Sequence, residues 1–381
     1  MASSEGQQLY RRLERDFDTA RALPVARAAL GLMAVLRCWV GAGHDARVAL
    51  PASVCHDVVA AVLGAGCEPV FCDIDLADGN VPEREWVRAR ATGASVAVVV
   101  HLYGNPADVY VARHHFPLHD CLVIDDAAQA LGSRNVTGLV GGQGDVGLLS
   151  FGATKHIEAG GAAILFKDSA LADRVARTLV SIKILPEAQR TAIHTRFRQR
   201  FEAARERLRS EGETAADAFH GLLEGYFHSL QVPFPEGADR AAYLALDAYP
   251  EVRERRVRKC AAWAAGLEGS GLIPVGMGAG TVPWRYACRL PGIDWGSQYH
   301  LGEAMRAQGL HVSHWYMPAH WMCGGKAGTL PGAERLAREV FQFWVDERTS
   351  IETIERGAAA VSAITRLFRF HKGGSEDAGI E

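Results

Sequence analysis

With 381 residues, the chain is longer than one hydrophobic core usually serves, so we expect a large domain and a smaller one. An apolar content of 48% and a charged content of 22% are typical of ordinary globular proteins and argue against a disordered chain. The formal net charge of −3 provides no overall attraction to nucleic acid or to anionic membranes. An anionic ligand would therefore need a local site.

The eight cysteines and fifteen histidines show no pattern typical of disulfide, redox or metal sites. No CxxC pair occurs, and cysteines such as Cys72 and Cys121 lie in apolar runs, which predicts reduced, buried thiols in a cytoplasmic protein. The histidines lack the spacing of metal ligands, so we expect no metal site. No apolar run approaches the roughly 18 residues of a membrane span, and the first residues do not resemble a signal peptide.

The first 36 residues predict two helices of different character. Residues 1–25 carry mixed charges around Leu9 and Leu13, which predicts an N-terminal helical segment on the body of the protein or on a partner chain. From Ala26 to Leu36 the chain is small and apolar almost all round, as in a buried helix. Apart from Arg27, its first turn has no side chain that would crowd an anion, so its N–H groups are suited to a phosphate.

Short apolar runs alternate with helical patterns over the next part of the chain. The strand-like runs are residues 47–50, 69–72, 96–100, 122–124, 147–151 and 162–166. This alternation predicts βαβ units, and hence an α/β fold whose mostly parallel sheet is covered on both faces. Ligands of such folds bind at the carboxyl ends of the strands, where Asp73, His101, Asp126 and Ser150 are expected to lie.

The second half of the chain changes character. We assign residues 26–235 to a large domain containing a helical insertion at 183–235, for which the roles to consider are a lid and a dimer arm. Mixed charges in this insertion favour a solvated helix face over a nucleic-acid site. Linking helices, or one helix interrupted at Pro250, follow at 236–268, and a smaller C-terminal domain is expected at 269–370. Its predicted elements are strands at 286–290 and 310–315 and helices at 299–308 and 351–368. The Gly-, Ser- and acid-rich residues 371–381 predict a disordered tail.

A set of polar groups stands out between residues 123 and 168. Asp126 ends one strand, Gln129 follows three residues later, Ser150 ends the next strand, and Lys155 follows a bend that contains Gly152. Pyridoxal 5′-phosphate (PLP) needs a lysine amine, a carboxylate for its ring nitrogen and donors for its phosphate. We therefore predict that Lys155 carries PLP and that Asp126 holds the ring nitrogen.

The aspartates and the lysine also have an ordinary structural explanation. Asp125 and Asp126 would cap a helix well, and Lys155 would be an unexceptional surface lysine. Their joint spacing at the ends of neighbouring strands favours the cofactor site over this explanation.

The same stretch resembles the DegT/DnrJ/StrS-type family of PLP-dependent sugar aminotransferases. The family pattern is an acidic residue followed by Asp-Ala-Ala-Gln-Ala-x-Gly, then Gly-Asp-x-x-x-x-Ser-Phe and, after two or three intervening residues, Lys. Residues 125–132 and 144–155 match it closely, and residues 65–75 and 100–104 match as well. The resemblance is specific from about residue 26 to 168 and recovers weakly at 309–318.

The resemblance implies the fold-type-I PLP transferase architecture, with a large domain built on a mostly parallel seven-stranded sheet and a smaller C-terminal α+β domain. It implies that Lys155 is the Schiff-base lysine, Asp126 the partner of the pyridinium nitrogen and Gln129 the neighbour of the phenolic oxygen. The phosphate would be held by Ser150 and by the backbone at residues 27–28, which are Arg27 and Ala28.

The implied reaction moves an amino group from an amino acid, typically glutamate, to a keto group on a nucleotide-linked sugar, as in polysaccharide or antibiotic biosynthesis. Family members usually form homodimers with the active site at the interface. Other PLP chemistry on the same fold, namely a lyase, a decarboxylase or an amino-acid-directed transaminase, is an open alternative. So is a non-catalytic regulator that binds PLP or a sugar nucleotide.

The chain departs from the family pattern in four places. Ala26-Arg27 replaces the phosphate-binding Gly/Ser-Thr pair, and Cys55 replaces the aromatic residue that stacks on the ring, with His56 beside it as a substitute. The Asn-Tyr-Arg-like segment lent by the partner subunit is absent near 230–240, and the residues after Lys155 differ. These departures weaken the sugar-nucleotide assignment more than the PLP assignment.

A segment rich in histidine and aromatic residues near the C-terminus is the candidate substrate contact. In the family a His-Tyr-x-Pro stretch of the small domain faces the substrate, which implicates His314, Tyr316 and His320. Such groups can stack on a ring and hydrogen-bond its hydroxyls. An aromatic loop packed between the domains explains the same residues equally well.

Overall fold

The computed structural model describes residues 4–314 and 316–376. The strands are β1 (Arg21–Val25), β2 (Arg47–Pro51), β3 (Glu68–Cys72), β4 (Val96–Val100), β5 (Leu122–Asp126), β6 (Arg134–Asn135), β7 (Gly138–Leu139), β8 (Val146–Ser150), β9 (Ala162–Phe166), β10 (Ile273–Pro274), β11 (Tyr286–Arg289), β12 (Val312–Ser313) and β13 (Val340–Phe343). The helices are α1 (Ser4–Asp16), α2 (Ala28–Gly41), α3 (His56–Gly64), α4 (Glu83–Ala91), α5 (Val109–His115), α6 (Ser169–Ser181), α7 (Glu187–Glu211), α8 (Ala238–Gly266), α9 (Trp295–Ala307), α10 (Pro331–Glu339) and α11 (Ile351–Glu376).

The larger sheet has seven strands in the order β1-β9-β8-β5-β4-β2-β3. The neighbouring strands from β8 to β3 pair in parallel, whereas β9 runs antiparallel to both of its neighbours. Helices cover both faces because the strands are apolar on both faces, as the fully buried β4 and β9 illustrate. The α/β fold with a mostly parallel seven-stranded sheet is therefore confirmed.

The N-terminal segment differs from its prediction. The amphipathic helix ends at Asp16, and residues 21–25, which were expected to belong to a helical segment, form the edge strand β1. This strand pairs antiparallel with β9, with Arg21 opposite Phe166 and Val25 opposite Ala162. Pro24 is tolerated there because an edge strand leaves one side without ladder hydrogen bonds. The seventh strand of the sheet thus comes from a part of the sequence that looked helical.

Helix α2 is buried from Ala29 to Leu36, as its apolar composition predicts. It packs on α3 and α6, on the sheet face that holds the largest hydrophobic core. The opposite face is covered by α4 and α5 on one side, and by α1 and the first half of α8 on the other. The start of α2 lies next to the carboxyl ends of the central strands, since Ala28 lines one cavity with Asp126 and Ser150.

Residues 183–235, which we call the insertion segment, pack on the large domain. They comprise α7 and two 3₁₀ turns, Gly212–Phe219 and Tyr226–Leu230. Phe197, Phe201 and Tyr226 are buried in the same core as α2 and α3. The segment therefore shares a hydrophobic core with the larger sheet and lies against the helices that begin at the strand ends.

The C-terminal part forms a second sheet, in the order β10-β11-β13-β12, with all pairs antiparallel. Its core includes Trp263 of α8, which packs against Phe343 with ring centroids 4.4 Å apart. Helix α8 is a single helix with Pro250 inside it, so the interruption that was considered does not occur.

Several element ends in the C-terminal part differ from those predicted. Helix α9 begins at Trp295, four residues before the predicted start, because Asp294 caps it by accepting a hydrogen bond from the N–H of Ser297. The strand predicted to end at residue 315 covers only β12, and Trp315 lies outside the described residues. Helix α11 extends to Glu376, beyond the predicted end at Phe368, and residues 377–381 lie outside the description. Within the described residues, no helix has the length and apolar character needed to cross a membrane.

Candidate functional site

A cavity of about 200 Å³ lies at the carboxyl ends of the central strands. The end of β5, the end of β8 and the starts of α2 and α3 meet there, as expected for a parallel sheet. Most of the residues predicted to bind the cofactor line this cavity, namely Arg27, Ala28, Cys55, Asp126, Gln129, Ser150 and Lys155, and Tyr316 of the predicted substrate set joins them. The structure therefore brings together residues that span nearly 300 positions.

The two adjacent aspartates at the end of β5 have separate roles because neighbouring strand residues point to opposite faces. Asp125 is fully buried and accepts hydrogen bonds from the N–H groups of Gly141 and Gln143, each at 2.8 Å, and its other oxygen contacts Nε2 of His101. Nδ1 of His101 accepts from the N–H of Ala107 at 2.8 Å, so Nε2 carries the proton and donates to Asp125. Asp125 thus stabilises the glycine-rich bend and does not reach the cavity.

Asp126 lies on the cavity side and is 5% exposed. Its Oδ1 accepts one hydrogen bond from the backbone N–H of Ala128 at 3.0 Å. Burial raises the pKa of this carboxyl above its ordinary value, although the Ala128 hydrogen bond and the Lys155 amine oppose the shift. A carboxylate held in this way gains stability from a cationic N–H group placed in the cavity.

Lys155 follows a tight turn in which its N–H donates to the carbonyl of Gly152 at 3.2 Å. The preceding residue, Thr154, has φ of 65°, in the left-handed region that a β-branched residue rarely adopts. The Nζ atom lies 5.2 Å from the ring centroid of Trp284. Burial lowers the pKa of Lys155, while Cys55 and Asp126 oppose the shift, so a larger share of the amine is neutral and nucleophilic near neutral pH.

Gln129 is fixed by hydrogen bonds at both ends of its amide. Its Oε1 accepts from the N–H of Tyr103 at 3.0 Å, and its Nε2 donates to the hydroxyl oxygen of Tyr316 at 3.0 Å. Tyr103 itself has φ of 60°, so its N–H points at Gln129 from an unusual backbone conformation. The loop that carries Tyr316 is thereby joined to the end of β5.

Part of the cavity wall is suited to an anion. Residues of the first turns of α2 and α3 line the cavity together with Ser150, so the positive ends of two helix dipoles and a hydroxyl group are available to an anion there. Nη2 of Arg27 donates to Oδ2 of Asp57 at 2.8 Å, and both side chains line the cavity. Only the backbone of Arg27 was expected at the site from the sequence; its side chain and Asp57 were not.

The two residues at the position of the family's stacking aromatic residue behave differently. Cys55 lines the cavity at the N-cap position of α3, where burial raises the pKa of its thiol to about 11. His56 is not among the residues that line the cavity, contrary to its assignment as a cofactor contact. Its ring packs against Phe197 and Tyr226 of the insertion segment, with centroids 4.8 and 5.4 Å apart. The first turn of α3 carries the two side chains in different directions.

Two of the three predicted substrate residues also lie away from the cavity. His314 is 3% exposed, and its Nδ1 lies 3.0 Å from Nη1 of Arg306 and its Nε2 3.4 Å from Nη2 of Arg205. His320 is buried, with its Nε2 3.0 Å from Oε1 of Glu334. Both imidazoles are occupied by partners within the chain, so the structure gives only Tyr316 a place in the site.

Trp284 lies beside the site but was not predicted from the sequence. It precedes β11 in the smaller unit, and its ring faces the Lys155 amine although the two residues are 129 positions apart. Tyr226, which contacts Asp57 from the insertion segment, was also not predicted from the sequence. The only sequence signal was a single aromatic residue in each place, which is too common to predict a site.

The cavity meets the requirements of PLP. A partly buried lysine amine and a buried carboxylate share it, and each shifts the pKa of the other. The same cavity holds donors for a phosphate, so the reactive carbonyl, the ring nitrogen and the phosphate each have a matching group. Among the described residues no cluster of three or more His, Cys, Asp or Glu side chains suits a metal ion.

Comparisons with known proteins point to one family. The profile of the DegT/DnrJ/EryC1/StrS aminotransferase family matches residues 4–196. An L-glutamine:2-deoxy-scyllo-inosose aminotransferase of Streptomyces kanamyceticus is 35% identical over 159 residues, which cover 41% of this chain and 36% of that protein. A pleiotropic regulatory protein of Geobacillus stearothermophilus is 34% identical over 137 residues, covering 35% of this chain and 37% of that protein.

The similarity to solved structures extends over the whole fold. The crystal structure of DesI in the presence of its TDP-sugar product superposes with a TM-score of 0.73 at 22% identity, covering 98% of this chain and 88% of DesI. By contrast, the chain spans little more than a third of the length of the two curated relatives. The family profile matches just over half of the 381 residues, including the strands and helices that build the cavity. The chain belongs to the DegT/DnrJ/EryC1/StrS aminotransferase family.

Proposed function

We propose that this protein is a PLP-dependent aminotransferase that moves an amino group from an amino-acid donor, glutamate in the first instance, to a keto group on a nucleotide-linked ketosugar. The observation that carries the proposal is the placement of Lys155 and Asp126 in one cavity, each close enough to shift the pKa of the other. A structural lysine and a helix-capping aspartate would have no need to share a cavity that also holds donors for a phosphate.

Bound PLP would supply a carbonyl that reacts with amines and a ring that withdraws electrons when its nitrogen is protonated. Lys155 is the amine that would hold this carbonyl group. When free, as an amine of lowered pKa, it would act as the base that moves the proton at the α-carbon of the donor. The Trp284 ring lies beside Nζ and limits the access of water to the amine.

Asp126 acts through its charge. It would keep the ring nitrogen protonated, and the low dielectric around a 5% exposed carboxylate would make that interaction stronger than it is in water. Gln129, fixed by Tyr103 and Tyr316, would orient the ring from the side of the phenolic oxygen. Ser150 and the starts of α2 and α3 would hold the phosphate.

The acceptor is inferred from relatives and from the cavity. The relative from Streptomyces kanamyceticus is named for an inosose acceptor, and DesI was solved with a TDP-sugar product, so keto groups on polyhydroxylated rings are the class to test first. In this chain Tyr316 is the predicted substrate residue that lines the cavity. We further propose a homodimer whose interface completes the substrate side, working in the cytoplasm, where the eight free cysteines stay reduced.

A non-catalytic regulator is the second candidate, because one relative is named a pleiotropic regulatory protein. A spectroscopic half-reaction separates the two functions. We expect glutamate or glutamine to convert the PLP form of the protein to the pyridoxamine form, with loss of the visible absorbance band and release of the keto acid. Nucleotide-linked ketosugars should restore the band and yield the amino sugar.

Each other outcome has a defined meaning. Release of carbon dioxide from the donor, or elimination from it, would identify a decarboxylase or lyase instead. A stable PLP band that no donor changes would favour the regulator. Light scattering of the full chain tests the dimer, and a monomeric mass at micromolar concentration would refute it.

A further inference from the structure

A chain of hydrogen bonds connects the insertion segment to the cavity wall. The hydroxyl of Tyr226 donates to Oδ1 of Asp57 at 3.1 Å, and Oδ2 of Asp57 accepts from Nη2 of Arg27 at 2.8 Å. Arg27 and Asp57 line the cavity, whereas Tyr226 lies behind them and is buried. A residue of the insertion segment therefore fixes a guanidinium group at the cavity wall.

The direction of this hydrogen-bond chain follows from His56. Its Nε2 lies 3.3 Å from the hydroxyl oxygen of Tyr226, and burial lowers its pKa, so the ring is neutral near neutral pH. A neutral His56 that donates from Nε2 to the hydroxyl oxygen leaves the hydroxyl proton for Asp57. The Phe197 ring, with its centroid 4.4 Å from that of Tyr226, holds the phenol in place.

The charge balance around Arg27 and Asp57 favours an anion in the cavity. An isolated Asp57 carboxylate would repel a phosphate, but its ion pair with Arg27 neutralises it. Arg27 has five N–H donors and the recorded bond to Asp57 uses one, so the planar guanidinium can still bind phosphate oxygens. Arg27 is also the N-cap residue of α2, whose first residues line the same cavity.

The insertion segment touches the site at a second point. A Cβ atom built on Gly161 would lie 3.1 Å from the ring of Phe234, and one built on Gly160 would lie 3.4 Å from Pro235. These glycines, with φ of 72° and 83°, form the turn between Lys155 and β9. The end of the segment is therefore packed closely against the turn that follows the lysine.

We propose that the Arg27 side chain, oriented by Asp57 and by Tyr226 of the insertion segment, binds the phosphate group of the cofactor, so that this segment sets cofactor affinity. The proposal rests on the proposed function only through the cofactor, and it assigns no part of the transamination chemistry to these residues. Arg27 is a binding residue, while Asp57 and Tyr226 are positioning residues.

The experiment compares two ligands that differ only in the phosphate. Full-length protein freed of cofactor is titrated with PLP and with pyridoxal, which has the same ring and carbonyl but no phosphate. We expect Arg27→Ala to weaken PLP binding roughly 10- to 100-fold and pyridoxal binding less than about twofold. Arg27→Lys, which keeps the charge but loses the planar fork, should fall between the native protein and Arg27→Ala.

Tyr226→Phe tests the role of the insertion segment, because it removes one hydroxyl and keeps the ring. We expect about a 3- to 10-fold loss of PLP affinity with pyridoxal affinity unchanged. Tyr286→Phe, which alters a buried tyrosine of the smaller unit, is the matched control and should change neither ligand. Equal losses for PLP and pyridoxal, or no loss for PLP in Arg27→Ala, would overturn the proposal. Native protein that binds neither ligand would instead refute the proposed function.

Discussion

The indole nitrogen of Trp284 donates a hydrogen bond to the backbone carbonyl of Thr154 at 2.6 Å, and Thr154 immediately precedes Lys155. Thr154 is in the left-handed region, a conformation that costs a β-branched residue about 1–3 kcal/mol and needs support from its surroundings. On the other side of the lysine, Nε2 of His156 lies 3.2 Å from the carbonyl oxygen of Val282. Lys155 is thus placed by contacts from a loop of the smaller unit on both of its neighbours.

Trp284→Phe should separate cofactor binding from catalysis. The ring face over Nζ is largely kept, but the hydrogen bond to Thr154 is lost, so the amine should be less well positioned for proton transfer. We expect PLP affinity to change less than about fivefold and the rate of the glutamate half-reaction to fall about tenfold. Stopped-flow absorbance measures both. An unchanged rate would mean that Thr154 holds its conformation without the indole.

Lys155→Ala should abolish the visible absorbance that PLP acquires on binding to a lysine amine, together with all transamination. Lys183→Ala, which removes an exposed lysine of the insertion segment, is the control and should keep both. Absorbance spectra of the purified proteins with added PLP provide the test. A native spectrum in Lys155→Ala would place the reactive amine elsewhere.

Asp126→Asn should lose turnover but gain stability in the absence of cofactor. Because burial raises the folded-state pKa above the unfolded value, the folded state binds more protons, and stability falls as pH rises through that window. At neutral pH the neutral amide therefore stabilises the cofactor-free protein by roughly 0.5–2 kcal/mol. Turnover should fall about 100-fold or more, since the ring nitrogen loses its anionic partner.

Urea unfolding and steady-state kinetics check the two halves of the Asp126→Asn prediction independently. Loss of stability in the variant would mean that Asp126 is paired more favourably than its contacts indicate. Near-native turnover would mean that another group protonates the ring nitrogen.

Tyr316→Phe should destabilise the protein by about 1–2 kcal/mol, because the Nε2 donor of Gln129 loses its recorded acceptor. Tyr103→Phe is a close control, since the two rings lie 6.0 Å apart and the buried Tyr103 hydroxyl has no hydrogen-bond partner within the described residues. That variant should be neutral or slightly stabilising. Equal losses in urea unfolding for both variants would show that the Gln129 contact contributes nothing specific.

His314 should make the protein sensitive to mild acid. Burial, with Arg306 and Arg205 nearby, lowers its pKa to about 3, so the unfolded state binds more protons than the folded state between about pH 3 and 6.5. The contribution of His314 to the free energy of unfolding is then fully present above about pH 6.5. Below that pH it falls by up to about 1.4 kcal/mol per pH unit. Between pH 7 and pH 5, the free energy of unfolding should fall by about 2 kcal/mol less in His314→Gln than in the native protein, as measured by urea unfolding. The same loss in both proteins would contradict this.

The predictable part of the site lies in one continuous stretch. Asp126, Gln129, Ser150 and Lys155 fall at the ends of apolar strands, and parallel strands place their carboxyl ends at one edge, so the sequence pattern was enough to bring them together. For other predicted residues, the sequence did not determine in which direction the side chain points. His56 and Cys55 are adjacent, and only the packing of His56 against Phe197 and Tyr226 shows which of them leaves the cavity.

The strands and the polar residues that follow them could be predicted from the sequence, because hydrophobic runs of fixed period are a local property of the chain. Edge strand β1 could not, because its extended form depends on pairing with β9, more than 130 residues away. The positions of Trp284 beside Lys155 and of Tyr226 behind Asp57 were likewise decided by the packing of distant segments. Local periodicity encodes which face of an element is buried, whereas contacts across long loops are selected by the shape and charge of surfaces that exist only in the folded chain.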